Sequence, residues 1–217
     1  MNVEQARFNM IEQQIRPWEV LDQDVLSLLA VVRREDFVPP AYRALAFVDT
    51  EVPLPEGQCM LAPKVEARLL QELHVQRHER VLEISTGSGH MAALLAHRAQ
   101  QVSTLEIRPA LAALARDNLR RAGITNARVA EADGSQGLPN EAPFDAIVLS
   151  GSVAEVPASL LAQLKVGGRL VGIEGFEPVM RAVLVTRTGE HQFARNELFD
   201  TVAQRLNRFA EPSRFHF

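Results

Sequence analysis

Val81-Leu82-Glu83-Ile84-Ser85-Thr86-Gly87-Ser88-Gly89-His90-Met91-Ala92 decides the fold. Val81 to Ile84 reads as a short apolar strand. Ser85 to Gly89 reads as a glycine-rich turn, and His90 to Arg98 as the helix that leaves it. Strand, glycine turn and helix in this order form a nucleotide-binding arrangement. The glycines let a ligand approach the backbone, and the helix start offers unpaired N–H groups.

The alternation continues downstream. Val102 to Ile107 is a second strand. Pro109 opens a helix that stops at Gly123, the expected placing of the two residues. Ala127 to Ala130 and Phe144 to Leu149 are further strands, and Pro157 to Leu164 reads as a helix. Lys165-Val166-Gly167-Gly168 is expected to turn into a fifth strand, Arg169 to Ile173. Val179 to Arg187 and Gln192 to Phe199 are strand-like runs joined by Thr188-Gly189-Glu190, too short a link for a helix, so they form a hairpin. The expected fold is α/β: a doubly wound, mostly parallel sheet that ends in an antiparallel hairpin.

Upstream the pattern changes. Val3 to Ile15 reads as a helix ended by Arg16-Pro17. Asp22 is a candidate N-cap for a helix carrying Val25, Leu26, Leu28 and Leu29. Pro39-Pro40, Pro53, Pro55 and Gly57 keep the chain irregular until Pro63 starts another helix, with Val65, Leu69, Leu70 and Leu73 on one side. The expectation is one domain, with residues 1–78 as a helical N-terminal extension and 79–217 as the α/β core.

Composition excludes several classes. The chain has 217 residues, 23 Lys and Arg against 27 Asp and Glu, and a net charge of -4, unlike a protein that coats nucleic acid. No apolar run approaches the roughly 20 residues of a membrane span. The first residues carry Glu4, Arg7 and Glu12, unlike a signal peptide. Cys59 is the one cysteine, so there is no internal disulfide and no thiolate metal cluster. His74 and His78 have helical spacing but straddle a helix end, and no metal is expected. A cytoplasmic protein that binds neither membrane nor nucleic acid is expected.

Gly87-Ser88-Gly89-His90-Met91-Ala92 fits the loose NAD pattern, and Glu106 lies about 20 residues beyond the turn's start, where a carboxylate accepts from ribose hydroxyls. Two features favour S-adenosylmethionine instead. Glu83 lies inside the strand, where a carboxylate needs a polar partner. A sulfonium with an ammonium nearby tolerates that carboxylate, whereas a pyrophosphate is repelled. Asp133-Gly134 follows the third strand, where an acid reads an adenine amino group.

Taken together, these stretches resemble the protein-L-isoaspartate O-methyltransferase family of the class I methyltransferases, from about Arg7 to about Phe193. Val81 to Gly89 resembles its cofactor loop. Ala142-Pro143-Phe144-Asp145-Ala146-Ile147 and Leu164 to Leu170 resemble later motifs. Asp36-Phe37-Val38-Pro39 and Ala41-Tyr42-Arg43 resemble the N-terminal segment that sets this family apart. The resemblance implies a Rossmann-like, seven-stranded fold and methyl transfer from S-adenosylmethionine to a carboxylate of a protein or peptide. It implies that Glu83, Ser85, Thr86, Gly87, Ser88 and Gly89 surround the methionyl part. Glu106 with Ile107 would hold the ribose, and Asp133 with Gly134 the adenine. Ser150 and Gly151 would lie beside the methyl group.

The chain also departs from that family. Ser85 stands where the family has glycine. The family reads Gly-Gln-Thr-Ile-Ser where this chain has Gly57-Gln58-Cys59-Met60-Leu61. Cys59 and Leu61 thus occupy the family's active-site positions without a hydroxyl, and His90 replaces an aromatic. A carboxylate acceptor is already ionised at pH 7 and needs alignment, not a base. One lost hydrogen bond to it costs about 1.5–3 kcal/mol, roughly 10- to 150-fold in rate. Three readings follow: an isoaspartyl or related O-methyltransferase, a protein that binds the cofactor without this methylation, and, remotely, an NAD-dependent oxidoreductase.

Overall fold

The computed structural model describes residues 2–211. Seven strands form the main sheet: β3 (Arg80–Ile84), β4 (Gln101–Glu106), β5 (Ala127–Glu131), β6 (Phe144–Val153), β7 (Leu164–Phe176), β8 (Val179–Arg187) and β9 (Phe193–Thr201). Their order is β5-β4-β3-β6-β7-β8-β9. The pairs from β5 to β7 are parallel, while β8 runs antiparallel to β7 and β9 to β8. The order reverses direction between β3 and β6, and a crevice at such a switch point is where open α/β sheets bind ligands.

The helices are α1 (Val3–Met10), α2 (Gln23–Val31), α3 (Pro63–Leu73), α4 (His90–Arg98), α5 (Pro109–Arg121) and the short α6 (Ala158–Leu161). Asn2 and Asp22 cap α1 and α2 through their side chains. Pro109 begins α5, and Gly123 follows it at φ +70°, the left-handed geometry that ends a helix. One apolar cluster runs from Met10 and Ile15 through Leu69 and Leu95 to Ile173 and Ala203, joining the N-terminal segment to one face of the sheet. A second, around Leu82, Phe144, Leu160 and Leu170, fills the other face. No helix among the described residues is long and apolar enough to cross a membrane.

Four local expectations need correction. The helix from Val3 does not stay regular to Ile15: it passes into a π turn at Ile11–Ile15, which buries both isoleucines. The N-terminal segment is not purely helical. A small ladder pairs β1 (Val52–Pro53) with β2 (Cys59–Met60), and Pro40–Phe47 is a 3-10 helix. The helix expected over Pro157 to Leu164 is cut to Ala158–Leu161, because Gln163 turns its amide onto Ser159 O and Gln136 O and the chain enters β7 at Leu164. Lys165 to Gly168 is a looped-out part of β7 and not a turn before it. Leu164 pairs with Phe144 and Arg169 already pairs with Ala146. Gly168 lies so close to β6 that a Cβ there would come within 3.0–3.1 Å of the Asp145 and Phe144 carbonyls.

Arg169 locks this corner. It donates to Glu79 Oε1 and Oε2 at 2.6 and 2.8 Å and to the Leu73 and His74 carbonyls at 2.6 and 2.8 Å. His74 ends α3 in a left-handed conformation, and no group of three metal-ligating side chains occurs among the described residues.

Candidate cofactor and acceptor site

The glycine turn is held from below. Ser85 and Thr86 donate their N–H groups to Leu105 O at 2.9 and 3.2 Å. Gly87 N–H donates to Glu106 Oε2 at 2.9 Å, and Arg108 N–H to Glu106 Oε1 at 3.1 Å. Glu106 is buried, so its carboxylate both shapes the loop and stands at its edge. Gly89 caps α4 at φ +84°, where a Cβ would press on Ala115 at 3.3 Å. Ser85 has φ +73°, a conformation that suits glycine and strains a serine.

Glu83 is fully buried at the floor of the turn. Thr104 Oγ1 donates to its Oε2 at 2.7 Å and Ser150 Oγ to its Oε1 at 2.8 Å. The required polar partners are thus two hydroxyls. Burial pushes the carboxyl up to about 8, against the pull of those hydrogen bonds, and nearby Glu66 and Glu106 add to the rise. Thr86 Oγ1 lies 2.6 Å from Thr104 Oγ1 and extends the chain of hydroxyls.

Two clefts meet at Ser85. One is lined by Cys59, Leu61, Glu83, Ser85, Thr86, Gly87, Ser88, His90 and Ser150 among others. The other is lined by Ile84, Ser85, Glu106, Ile107, Gly134, Leu206 and Phe209 among others. A Cβ on Gly134 would meet Ile84 Cγ2 at 2.5 Å, and one on Gly151 would meet Leu206 Cδ2 at 2.5 Å, so neither position has room for a side chain. Gly89 and Asp133 line neither cleft. Asp133 Oδ1 accepts from Ser135 N at 2.9 Å, and Arg208 Nη1 is 3.4 Å from its Oδ2. Burial pushes the Asp133 carboxyl up, but these two partners outweigh it and hold it below the usual range.

Cys59 is half-buried. Its thiol donates to Gln204 Oε1 at 3.3 Å, and burial with the neighbouring Glu51 charge pushes it up to about 12. It stays a neutral thiol at pH 7, which removes it as a nucleophile. Leu61 is buried in the main apolar cluster.

Several residues of the site were missed by reading the sequence. Arg34 is buried and donates to Glu66 Oε2 at 2.5 Å and to Leu61 O at 2.6 Å. His90 Nδ1 lies 2.7 Å from the same Glu66 oxygen. Burial pushes the Glu66 carboxyl up, but the charges and hydrogen bonds of His90 and Arg34 hold it low and ionised. A signal existed: Glu66 shares the stripe of Leu69, Leu70 and Leu73, and an acid on an apolar face needs a partner. The segment from Ala203 to Phe209 was also missed. Gln204 Nε2 donates to Gly57 O at 2.7 Å, Leu206 N–H donates to Ser152 O at 2.8 Å, and Leu206 and Phe209 line the second cleft.

Comparison with known proteins bears on this geometry. The family described as Protein-L-isoaspartate(D-aspartate) O-methyltransferase matches residues 5–200. A relative of that name from Methanoculleus marisnigri is 44% identical over 169 residues, covering 78% of this chain and 77% of its own. One from Koribacter versatilis is 40% identical over 194 residues, covering 89% and 87%. Among solved structures, a protein-L-isoaspartate O-methyltransferase superposes with a TM-score of 0.80 at 23% identity, over 93% of this chain and 66% of that one. A β-aspartate methyltransferase structure from Plasmodium falciparum, in complex with S-adenosyl-L-homocysteine, gives 0.77 at 21% identity, over 93% and 98%.

Proposed function

Since the chain belongs to the protein-L-isoaspartate(D-aspartate) O-methyltransferase family, whose members are S-adenosylmethionine-dependent methyltransferases, we propose that it methylates the free carboxylate of isoaspartyl residues in proteins or peptides. The observation that carries this reading is the meeting of two clefts at Ser85, one floored by the Glu83 carboxyl and one narrow and largely apolar.

The residues present suit the cofactor. S-adenosylmethionine supplies an electrophilic methyl group on a sulfonium, and its transfer to a carboxylate oxygen leaves a neutral thioether. In this reading Glu83, at the end of β3, faces the cationic methionyl part. Ser85, Thr86, Gly87 and Ser88 wrap that part with backbone. Glu106 serves the ribose with the lone pairs that the loop leaves free, beside Ile107. Gly134 leaves space for the adenine, with Asp133 at its edge. Ser150 and Gly151, inside the C-terminal half of β6, border the methyl group. Cys59 and Leu61 face the acceptor without a hydroxyl, so the chain's own contribution is to align an acceptor that is already ionised. Cytoplasmic residence is part of the same reading.

Nothing in the family favours the nicotinamide reading, which rested on the glycine spacing alone. A second reading retains cofactor binding without isoaspartyl methylation, and Leu61 and Cys59 are its support. One assay separates the two: methyl transfer from labelled S-adenosylmethionine to an isoaspartyl peptide, with the aspartyl peptide as control. Transfer to the isoaspartyl peptide alone is expected. No transfer to either, by protein that binds the cofactor, would leave the second reading.

A further inference from the structure

We propose that His90 holds the acceptor carboxylate through Nε2, in place of the hydroxyls absent at positions 59 and 61. This rests on the isoaspartyl reading above.

His90 opens α4 directly after the glycine turn and lines the same cleft as Cys59, Leu61, Glu83 and Ser150. Its ring is fixed from two sides. Glu66 Oε2 takes Nδ1 at 2.7 Å, and the Phe37 ring meets it edge-on with centroids 5.2 Å apart. Glu66 is itself fixed by Arg34, which also grips the Leu61 carbonyl. Position 90 and position 61 are therefore joined through two side chains.

The other end of the ring is unused. His90 is 2% exposed, and its Nε2 is buried without a hydrogen-bond partner among the described residues. Several other polar groups at the cleft are engaged: Ser150 and Thr104 with Glu83, Thr86 with Thr104, Cys59 with Gln204. A buried polar atom left unpaired is unfavourable, so a ligand that pairs with it is favoured.

The chemistry selects an anion. Glu66 is ionised, so Nδ1 carries the proton that Glu66 accepts. A second proton, on Nε2, makes the ring a donor whose charge Glu66 offsets. A carboxylate brought against Nε2 favours that state. The titratable and charged groups around the ring are Glu66 on α3, Arg34 ahead of it, Glu83 on β3 and Cys59 on β2. Cys59 is neutral at pH 7, and Arg34 is spent on Glu66 and Leu61. His90 is thus the cleft's buried, unpaired ring nitrogen able to take an anion, and it is a positioning residue for the acceptor.

The test is calorimetric binding of an isoaspartyl peptide to protein saturated with S-adenosylhomocysteine, for wild type, His90→Phe and His90→Gln. His90→Phe should raise the peptide Kd about 10- to 150-fold. Its Kd for S-adenosylhomocysteine should stay within about twofold of wild type. His90→Gln, with a neutral N–H donor, should recover part of the peptide affinity. If His90→Phe does not fold, His90→Leu takes its place. Wild-type peptide affinity in the apolar variant, or no recovery in His90→Gln, overturns the proposal. A wild type that binds S-adenosylhomocysteine but no isoaspartyl peptide overturns the isoaspartyl reading itself, and this inference with it.

Discussion

Arg34 Nη2 donates to the Leu61 carbonyl at 2.6 Å, so a fully buried guanidinium grips the backbone where the family carries its serine. The same guanidinium neutralises Glu66. Removing it leaves a buried carboxylate with His90 alone, and breaking a buried pair from one side costs about 3–5 kcal/mol. Arg34→Met is expected to lose that much in urea unfolding. Arg34→Met with Glu66→Met should recover part of it, because no buried charge is then left unpaired. Equal losses in the single and double variants would show that Arg34 acts through packing alone.

If Glu83 faces the cofactor as proposed, cofactor binding depends on pH. Burial pushes its carboxyl up to about 8, from 4.5 in an exposed chain. The free folded protein therefore keeps a proton at pH 7 that the unfolded chain has released, and stability falls as pH rises from about 4.5 to about 8. Glu83→Gln removes this penalty. Its Tm should exceed that of wild type by a few degrees near pH 8, and the gap should close below about pH 4.5. A cationic ligand favours the ionised form, so wild-type affinity for S-adenosylmethionine should rise with pH up to about 8, by at most about tenfold per pH unit. Binding at pH 7 should release a proton, measurable by calorimetry in buffers of different ionisation enthalpy. Glu83→Gln should bind more weakly by about 10-fold or more, with no pH dependence.

The order of elements was legible because glycine and proline punctuate it. Pro109, Gly123 and the run from Val81 to Gly89 place their helices and the turn within a residue or two. The need of Glu83 for partners was legible from its place in an apolar strand, but Thr104 and Ser150 were not. They reach it from β4 and β6, neighbours that only the sheet order brings together. Arg34 carried no signal, since it opens a 3-10 turn in a polar stretch whose burial depends on α3. The segment from Ala203 to Phe209 has no periodicity, and its place is set by Gln204 and Leu206 bonding to Gly57 and Ser152. The bulge at Lys165 to Gly168 looked like a turn because paired glycines signal both.

Ser85 holds a left-handed backbone at φ +73° to let its N–H reach Leu105 O at 2.9 Å. A side chain in that region costs about 1 kcal/mol or more relative to glycine. Ser85→Gly is expected to stabilise the protein by about 0.5–1 kcal/mol, or about 1–4 °C in Tm. It should also tighten S-adenosylhomocysteine binding, since both clefts meet at this residue. A lower Tm would show that the Ser85 hydroxyl contributes more than the backbone strain takes away.

Restoring the family's hydroxyls should trade stability for turnover. Leu61 is packed in the apolar cluster, and truncating a buried leucine costs about 2–5 kcal/mol. Cys59, half-buried on the short strand β2, accepts threonine at little cost. Cys59→Thr with Leu61→Ser is therefore expected to melt several degrees lower. Its kcat/KM for an isoaspartyl peptide should be higher by about tenfold, the effect of one regained hydrogen bond to a charged group. If His90 already holds the same carboxylate, the two effects are not additive. The gain should then be larger in a His90→Phe background than in wild type. Equal gains in both backgrounds would mean that the hydroxyls and His90 serve different atoms of the acceptor.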